Sequence, residues 1–506
     1  MESLCQVLWR YDRSIVLKNC KTNVAGLDEI LAGGLARGRL FLLEGNPGTG
    51  KTTIATQFLM AGAEAGEPVL YITLSETEEE LRDGAGSHGW NFTPTFQIFE
   101  LVPPESLLDE QQQQSLLYSS DLELGETTKR IFEAFERIKP TRVVLDSLSE
   151  IRLLAQSSLR YRRQILALKH YFSRHDATVL MLDDLTADVL DKTVHSVAHA
   201  VIRLEELSPT YGAERRRLRV VKYRGRKYRG GYHDFVIDTG GIRVFPRLVS
   251  AEHRNDFARE TVAIDNAELN GLIGGGFERG ASTLILGPAG TGKSLLSLSF
   301  IKSAVARGER AAMFAFDEER GLLFSRAIKL DIDLQAMVDA GDLVIEQIDA
   351  AELTPGEFSE RVRVCVEKHK ARTVVIDSLN GYQAAMPEEQ ALVLHMHELL
   401  QYLNRQGVMT FLTVAQHGLV GDMKSPVDVT YLADTVILLR YFEARGRVRR
   451  AVSVVKKRTG HHEDTIREFS IGSSGITVGE PLTEFQGVLR GVPILMGGGE
   501  NLIDAA

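Results

Sequence analysis

Cysteine is scarce in this 506-residue chain. The three present, Cys5, Cys20 and Cys365, stand too far apart for a disulfide framework or a CxxC metal site, so reduced thiols in a cytoplasmic protein are expected. Long apolar runs are also missing: no stretch reaches the ~18 unbroken apolar residues that a spanning helix needs. The N-terminus, with acidic Glu2 and an apolar patch over residues 4–9 broken by Gln6, lacks a signal-peptide pattern. Neither charge sign dominates. Against 59 Lys+Arg stand 68 Asp+Glu, and the formal net charge of −9 is not that of a dedicated nucleic-acid binder. With 44% hydrophobic and 25% charged residues, the composition argues against disorder, collagen-like repeats and a membrane bundle. At ~100–200 residues per domain, the length allows about two to four domains.

What the chain does contain is one large repeat. Residues 22–53 read TNVAGLDEILAGGLARGRLFLLEGNPGTGKTT and residues 263–295 read AIDNAELNGLIGGGFERGASTLILGPAGTGKSL. The two loop lysines, Lys51 and Lys293, are 242 residues apart, too long a period for a solenoid, so a whole domain is duplicated. Downstream, RVVLDSLSE (142–150) matches RTVVIDSLNG (372–381), and each half closes on a basic segment, KYRGRKYRGGYHDFVI (222–237) or KKRTGHHEDTIREFSI (456–471). Strands rich in Val, Ile and Leu alternate with helical stretches, the pattern of an α/β fold with mainly parallel sheets. The expected organisation is a first domain over 1–248, a linker over 249–261, a second domain over 262–491 and a short tail over 492–506.

Two loops have the composition that holds phosphate. Gly45-Asn46-Pro47-Gly48-Thr49-Gly50-Lys51-Thr52 fits GxxxxGK[ST], and so does Gly287-Pro288-Ala289-Gly290-Thr291-Gly292-Lys293-Ser294. Glycines let backbone amides converge on an anion, and the following helix turns its positive end toward it. The lysine reaches the β- and γ-phosphates, and the Thr or Ser hydroxyl binds Mg²⁺. Thr53 and Leu295 extend the candidate ATP contacts by one residue. The context is the required one, since 40–43 and 283–286 read as strands and 54–61 and 295–305 as helices.

Carboxylates recur at matching places. Asp146 and Asp377 each close an apolar run, which puts them at the carboxyl edge of a strand where α/β sheets bind ligands; with Thr52 and Ser294 they are the Mg²⁺ candidates. The alternative for each aspartate is a cap on the next helix. Glu76 and Glu318 each lie 25 residues beyond their loop lysine. Both directly follow a strand expected to neighbour the P-loop strand. They are the candidate catalytic bases, with Asp317 beside Glu318 where the first half has Ser75; solvated acids at a helix start are the alternative.

Between Arg215 and Arg229, nine of fifteen residues are Lys or Arg, interleaved with Tyr223 and Tyr228. Three readings stand: a surface for single-stranded nucleic acid, cationic fingers inserted beside a phosphate on a neighbouring subunit, or a solvated hairpin. Recurrence in the second half favours fingers, with Lys222, Arg224 and Tyr228 in the first domain and Arg450, Lys456, Arg458 and His462 in the second. Such fingers require an oligomer, and a ring satisfies every site.

These motifs resemble the KaiC family of circadian-clock ATPases and autokinases, within the RecA-like superfamily. The resemblance runs from about Lys21 to Gly491 and rests on the paired P-loops, the acidic turns, FDEE (316–319) and the ending ADTVILLRYFEARGRVRRAVSVVKKRTGHHEDTIREF (433–469). It implies two tandem RecA-like domains and a homohexameric double ring with ATP and Mg²⁺ between subunits. It also implies ATP hydrolysis mainly in the first ring and Ser/Thr autophosphorylation in the second. In the family the phosphoacceptors are an adjacent Ser-Thr pair just before the Asp-Thr that opens the final strand. Counting back from Asp434, the pair falls on Thr430 and Tyr431, and the tyrosine departs from the usual threonine. Signalling or clock proteins are the implied partners, and neither a membrane nor nucleic acid is expected. Two other readings stay open: a RecA- or helicase-type DNA-dependent ATPase, and a scaffold that ATP merely stabilises. The segments after Asp146 and Asp377 are not strongly basic, and no Cys₄ motif exists, which counts against the former.

Overall fold

The protein is described by a computed structural model over residues 19–101, 116–185, 193–209, 212–386, 389–416, 430–472, 475–490 and 494–495. Cys5 and almost all of the expected tail lie outside these residues. The chain divides into two compact units, the second beginning at Leu248.

The apolar runs form strands buried on both faces. In β1 (Leu40–Gly45), Phe41 and Leu43 point into one apolar cluster of the first unit and Leu40 and Leu42 into the other. That alternation explains why the run carries no polar face: helices cover both sides of a parallel sheet. The remaining strands are β2 (Val69–Thr73), β3 (Phe96–Glu100), β4 (Arg142–Asp146), β5 (Thr178–Asp184), β6 (Ala200–Leu207), β7 (Arg215–Tyr223), β8 (His233–Asp238) and β9 (Gly241–Phe245). They lie in the order β3-β2-β4-β5-β1-β6-β7-β8-β9. The first six are parallel and the last three turn back antiparallel.

The second unit repeats this with β10 (Ser282–Gly287), β11 (Arg310–Ala315), β12 (Leu343–Gln347), β13 (Ala371–Asp377), β14 (Met409–Ala415), β15 (Thr435–Ala444), β16 (Arg447–Lys457), β17 (Arg467–Gly472) and β18 (Gly475–Pro481). Its order, β12-β11-β13-β14-β10-β15-β16-β17-β18, is that of the first unit strand for strand. The fold is α/β with two tandem nine-stranded, mainly parallel sheets. Among the described residues no helix is long and apolar enough to cross a membrane.

One expectation is corrected. The strand that leads to Glu76 is not a neighbour of the P-loop strand: β4 and β5 lie between β2 and β1, as β13 and β14 lie between β11 and β10. The crossover through the helix after each P-loop carries the chain past two positions that later strands fill. Apolar character alone does not reveal that gap.

Candidate nucleotide sites at the two P-loops

In the first unit, β1 runs through the loop into helix α1 (Lys51–Glu64). Gly48 and Gly50 take φ +83° and +91°, which L side chains resist. Lys51 is buried and folds back over the loop, its Nζ donating to the carbonyls of Gly45 and Asn46 at 2.9 Å each. Those oxygens occupy donor positions of the ammonium that phosphate oxygens would take. Thr49 Oγ1 braces the loop on the Asn46 carbonyl at 2.7 Å. Asn46 and Pro47 are exposed at the loop tip, and Thr52 and Thr53 are half-buried in the first helical turn.

Carboxylates gather opposite the loop. Asp146, buried at the end of β4, accepts from Tyr71 at 2.6 Å and faces Thr52 Oγ1 at 3.4 Å. Burial pushes its pKa up, and the Asp184 carboxylate adds to this against the Tyr71 hydrogen bond. Glu76 is half-buried, and burial followed by the fields of Asp146, Glu80 and Asp184 raises its pKa too. Its backbone is pinned by Thr73, whose hydroxyl donates to the Glu76 carbonyl at 2.7 Å. Thr77 then starts helix α2 (Glu78–Ser87) with a capping box closed by Glu80, which keeps Glu80 for the helix end.

The second unit builds the same frame between β10 and helix α3 (Lys293–Ala306). Lys293 Nζ donates to Gly287 O at 2.9 Å and Pro288 O at 2.8 Å, and Gly290 and Gly292 take φ +77° and +104°. Thr291 Oγ1 donates to Pro288 O at 2.9 Å, Ala289 is exposed, and Ser294 and Leu295 are half-buried in the first turn. Asp377 accepts from the Thr413 hydroxyl, and Asp317 from that of Ser378. Glu318 pairs with Arg326 at 2.9 Å; burial raises its pKa and Asp377 adds to the rise, while Arg326 opposes it. Glu319 is a cap, accepting from the amides of Gly321 and Leu322 at the start of helix α4 (Arg320–Ile328).

Two contributors escaped the sequence reading. Asp184, at the end of β5, forms a 2.6 Å ion pair with Lys51, and its counterpart beside β10 is Ala415. Glu44, buried in β1, accepts from His195 at 2.6 Å and Arg203 at 2.7 Å. Burial opposes its ionisation, but those two hydrogen bonds hold its carboxyl below the usual range. A carboxylate inside an otherwise apolar run was the available signal for Glu44. Asp184 had none, because its lysine partner is remote in sequence.

All the basic candidates that the register places, except Arg450, lie at the other end of the sheets. Lys222 donates to the His195 carbonyl and Arg224 to that of Ser196. Lys456 holds the carbonyls of Thr430 and Ala433 at 2.8 and 2.7 Å, and Arg458 binds Tyr431 O and Asp434 Oδ1. Tyr228 packs against the core of its own unit, Arg450 lies over the Tyr441 ring at 5.7 Å, and His462 is half-buried after β16. Strand register sets Lys222 beside Val201 and Lys456 beside Val436, where the parallel strands begin, whereas the P-loops stand where β1 and β10 end. Within one chain Lys222, Arg224, Lys456 and Arg458 are therefore not brought to their own P-loop, whereas Arg450 stands beside its own, on the ring of Tyr441, whose hydroxyl donates to Ala289 O at 3.3 Å. The Thr430 carbonyl takes the lysine that the His195 carbonyl takes in the first unit, and Tyr431 is about half exposed.

A family model for the KaiC ATPase matches residues 20–249 and again residues 265–483. The chain belongs to the KaiC ATPase family. Nucleotide binding goes with that membership, and the two matches cover the two P-loop units. Among its relatives is the circadian clock protein KaiC3 of Synechocystis sp., 27% identical over 94% of this chain and 95% of the relative. The circadian clock oscillator protein KaiC of Thermostichus vulcanus is 28% identical over 95% and 92%, and the circadian clock protein KaiC2 of Synechocystis sp. is 28% identical over 92% and 82%.

Proposed function

We propose that this KaiC-family protein is an ATPase and Ser/Thr autokinase. It binds ATP at both P-loops, works as a double-ring homohexamer, and passes its phosphorylation state to signalling or timing partners. The observation that carries the reading is the recurrence, in both units, of a loop lysine, a first-turn hydroxyl, a strand-end aspartate and a glutamate after the strand beyond it. Thr52 faces Asp146 at 3.4 Å, and these two, with Ser294 and Asp377 at the matching places of the second unit, are hard oxygen donors of the kind that fit Mg²⁺. The ion, when bound, supplies neutralisation of the β- and γ-phosphate charge.

In the first unit, Glu76 orients a water and takes its proton as the oxygen attacks the γ-phosphorus. The bond to the β-phosphate oxygen breaks, and ADP leaves. In the second, Glu318 with Asp317 takes the proton of the Thr430 hydroxyl of another copy as its oxygen attacks the γ-phosphorus; the bond to the β–γ bridging oxygen breaks, ADP leaves and Thr430 carries the phosphoester, with Tyr431 the second acceptor candidate. Lys222, Arg224, Tyr228, Lys456, Arg458 and His462 serve the phosphates of nucleotide held by another copy, which would draw the turn before β15, with Thr430, toward that nucleotide; Arg450, beside its own P-loop on Tyr441, does not share that placement.

The test is peptide mass spectrometry after incubation with Mg·ATP, beside Glu318→Gln and Thr430→Ala. Phosphate on Thr430 that Glu318→Gln abolishes establishes the autokinase. Hydrolysis without any phosphopeptide removes the kinase half of the reading, and neither activity leaves an ATP-stabilised scaffold.

A further inference from the structure

At the start of the first unit's parallel strands lies a cavity of about 290 Å³, lined among others by Arg39, Lys169, His199 and Arg224. It is not the P-loop site. Leu40 on its wall and Gly45 at the loop are the two ends of β1, about 16 Å apart at ~3.3 Å per residue. Arg39 and Arg224 stand exposed at the mouth, and Lys169 and His199 are half-buried within.

The cations meet backbone carbonyls only: Lys169 donates to Val197 O at 3.0 Å, Arg224 to Ser196 O, and Arg39 to Gly38 O at 3.5 Å. Among the described residues none of the three is ion-paired to a carboxylate, and Asp176, beside Gly38 at the rim, pairs with none of them. The cost of this crowding is visible in two groups. Burial, then Arg39, Arg226, Arg224 and Lys169, push the His199 imidazole down to about 4. Burial, then Arg224 and Arg39, lower Lys169 as well.

The second unit supplies an internal control. The same backbone bonds recur there: His199 N to Leu40 O matches Asp434 N to Ser282 O, and Arg224 N to His199 O matches Arg458 N to Asp434 O. The pairs Val179 N to Arg39 O and Thr410 N to Ala281 O, and Ala177 N to Phe172 O and Val408 N to Leu403 O, fix the remaining positions. Arg39, Lys169, His199 and Arg224 thus correspond to Ala281, Leu400, Asp434 and Arg458. In the second unit Asp434 pairs with Arg458 at 3.3 Å and accepts from Ser282 N at 2.9 Å. One fold position is neutralised and hydrogen-bonded in one unit, and left with three uncompensated cations around a cavity in the other.

We infer that this cavity of the first unit is a binding site for a phosphate-type oxyanion, held by Arg39, Lys169 and Arg224. Its charge and fork-bearing donors suit a tetrahedral dianion. The anion is free inorganic phosphate, distinct from the nucleotide of another copy that Arg224 is proposed to meet.

The test uses the full chain with Mg·ADP saturating the P-loops and inorganic phosphate titrated by calorimetry, beside Lys169→Leu and His199→Asp. The latter installs the second unit's arrangement, a carboxylate against the neighbouring arginine. Free phosphate as source gives saturable binding that Lys169→Leu weakens roughly tenfold, the scale of one charge-assisted contact, and that His199→Asp abolishes. If phosphate does not bind but ATP-driven self-association, read by sedimentation, weakens at least about tenfold in both variants, the separate anion site is overturned and these cations serve only the contact between copies. If neither readout moves in folded variants, the site is overturned; Arg39→Gln, at the exposed mouth, carries the same test should either variant fail to fold. ATP binding at Lys51 is unchanged throughout, so loss of that binding would count against the P-loop reading instead.

Discussion

Glu76 and Glu318 occupy matching positions but sit in different fields. Glu76 has burial and three carboxylates raising its pKa, whereas Glu318 is tethered to Arg326. Glu76→Gln should therefore lower ATP hydrolysis by roughly 10²–10⁴-fold, the usual worth of a positioned base, with ATP affinity unchanged in an equilibrium titration. A base acts only when deprotonated, so kcat/KM should fall as pH drops through the raised pKa, on a limb above the ordinary 4.5. A profile whose acid limb survives in Glu76→Gln would assign that limb to another group. A structural carboxylate behaves oppositely. Burial opposes ionisation of Glu67, but hydrogen bonds from Arg37 and Arg142 overcome it and bring its pKa from 4.5 to about 2. Its folded pKa is depressed, so the stabilisation is present above about 4.5 and is lost as pH falls toward 2. Arg142 is buried and also donates to the carbonyls of Lys21 and Phe58 at 2.8 Å each. Arg142→Leu should cost about 2 kcal/mol, because it removes one of the two guanidinium partners of the half-buried Glu67 carboxylate and the donor to two carbonyls; a denaturant midpoint unchanged at pH 7 would refute this.

At the scale of elements, the P-loops show why local motifs were readable and their surroundings were not. Gly50 and Gly292 sit at helix N-caps in the left-handed region, and a Cβ on Gly292 would fall 2.4 Å from Ile471 Cδ1 and 3.3 Å from Phe469 Cε1. Ile471 can swing aside, but the φ of +104° stays, so Gly292→Ala should cost about 1–2 kcal/mol. It should also weaken ATP binding at that loop; equal stability by denaturant titration would show that the loop adapts. This constraint is contiguous in sequence, which is why GxxxxGK[ST] announces it. The same holds for the duplicated strand–loop–helix frame and for Asp146 and Asp377 at strand ends. Strand order is another matter. Which parallel strands become neighbours depends on where crossovers land, so the insertion of β4 and β5 between β2 and β1 left no local trace. Asp184 on Lys51, and Arg39 and Lys169 around one cavity, likewise meet only after the sheet has assembled.

At the scale of the whole molecule, the duplication places one P-loop in each of two units with its own buried core. The first unit's sheet is packed between clusters that include Phe41, Phe58 and Tyr71 on one side and Phe135, Tyr161 and Phe172 on the other; the second has Phe314, Phe358 and Tyr382 opposite Phe277, Phe300 and Phe411. Each unit therefore carries enough buried apolar surface to unfold as its own cooperative block. Scanning calorimetry of the full chain should resolve two transitions. ATP at about a hundred times its Kd stabilises the unit it occupies by about 2.7 kcal/mol, since ligand bound only to the folded form adds RT ln(1 + [L]/Kd). Lys51→Ala should then abolish the ATP-induced shift of one transition and leave the other, and Lys293→Ala should do the reverse. Both variants remove a buried ammonium that caps its own loop carbonyls, and Lys51 is also paired with Asp184, so each ATP-induced shift is read against that variant's own unliganded transition. A single transition that each variant moves equally would mean that the two units fold as one block, and independent occupancy of the two P-loops would fall with it.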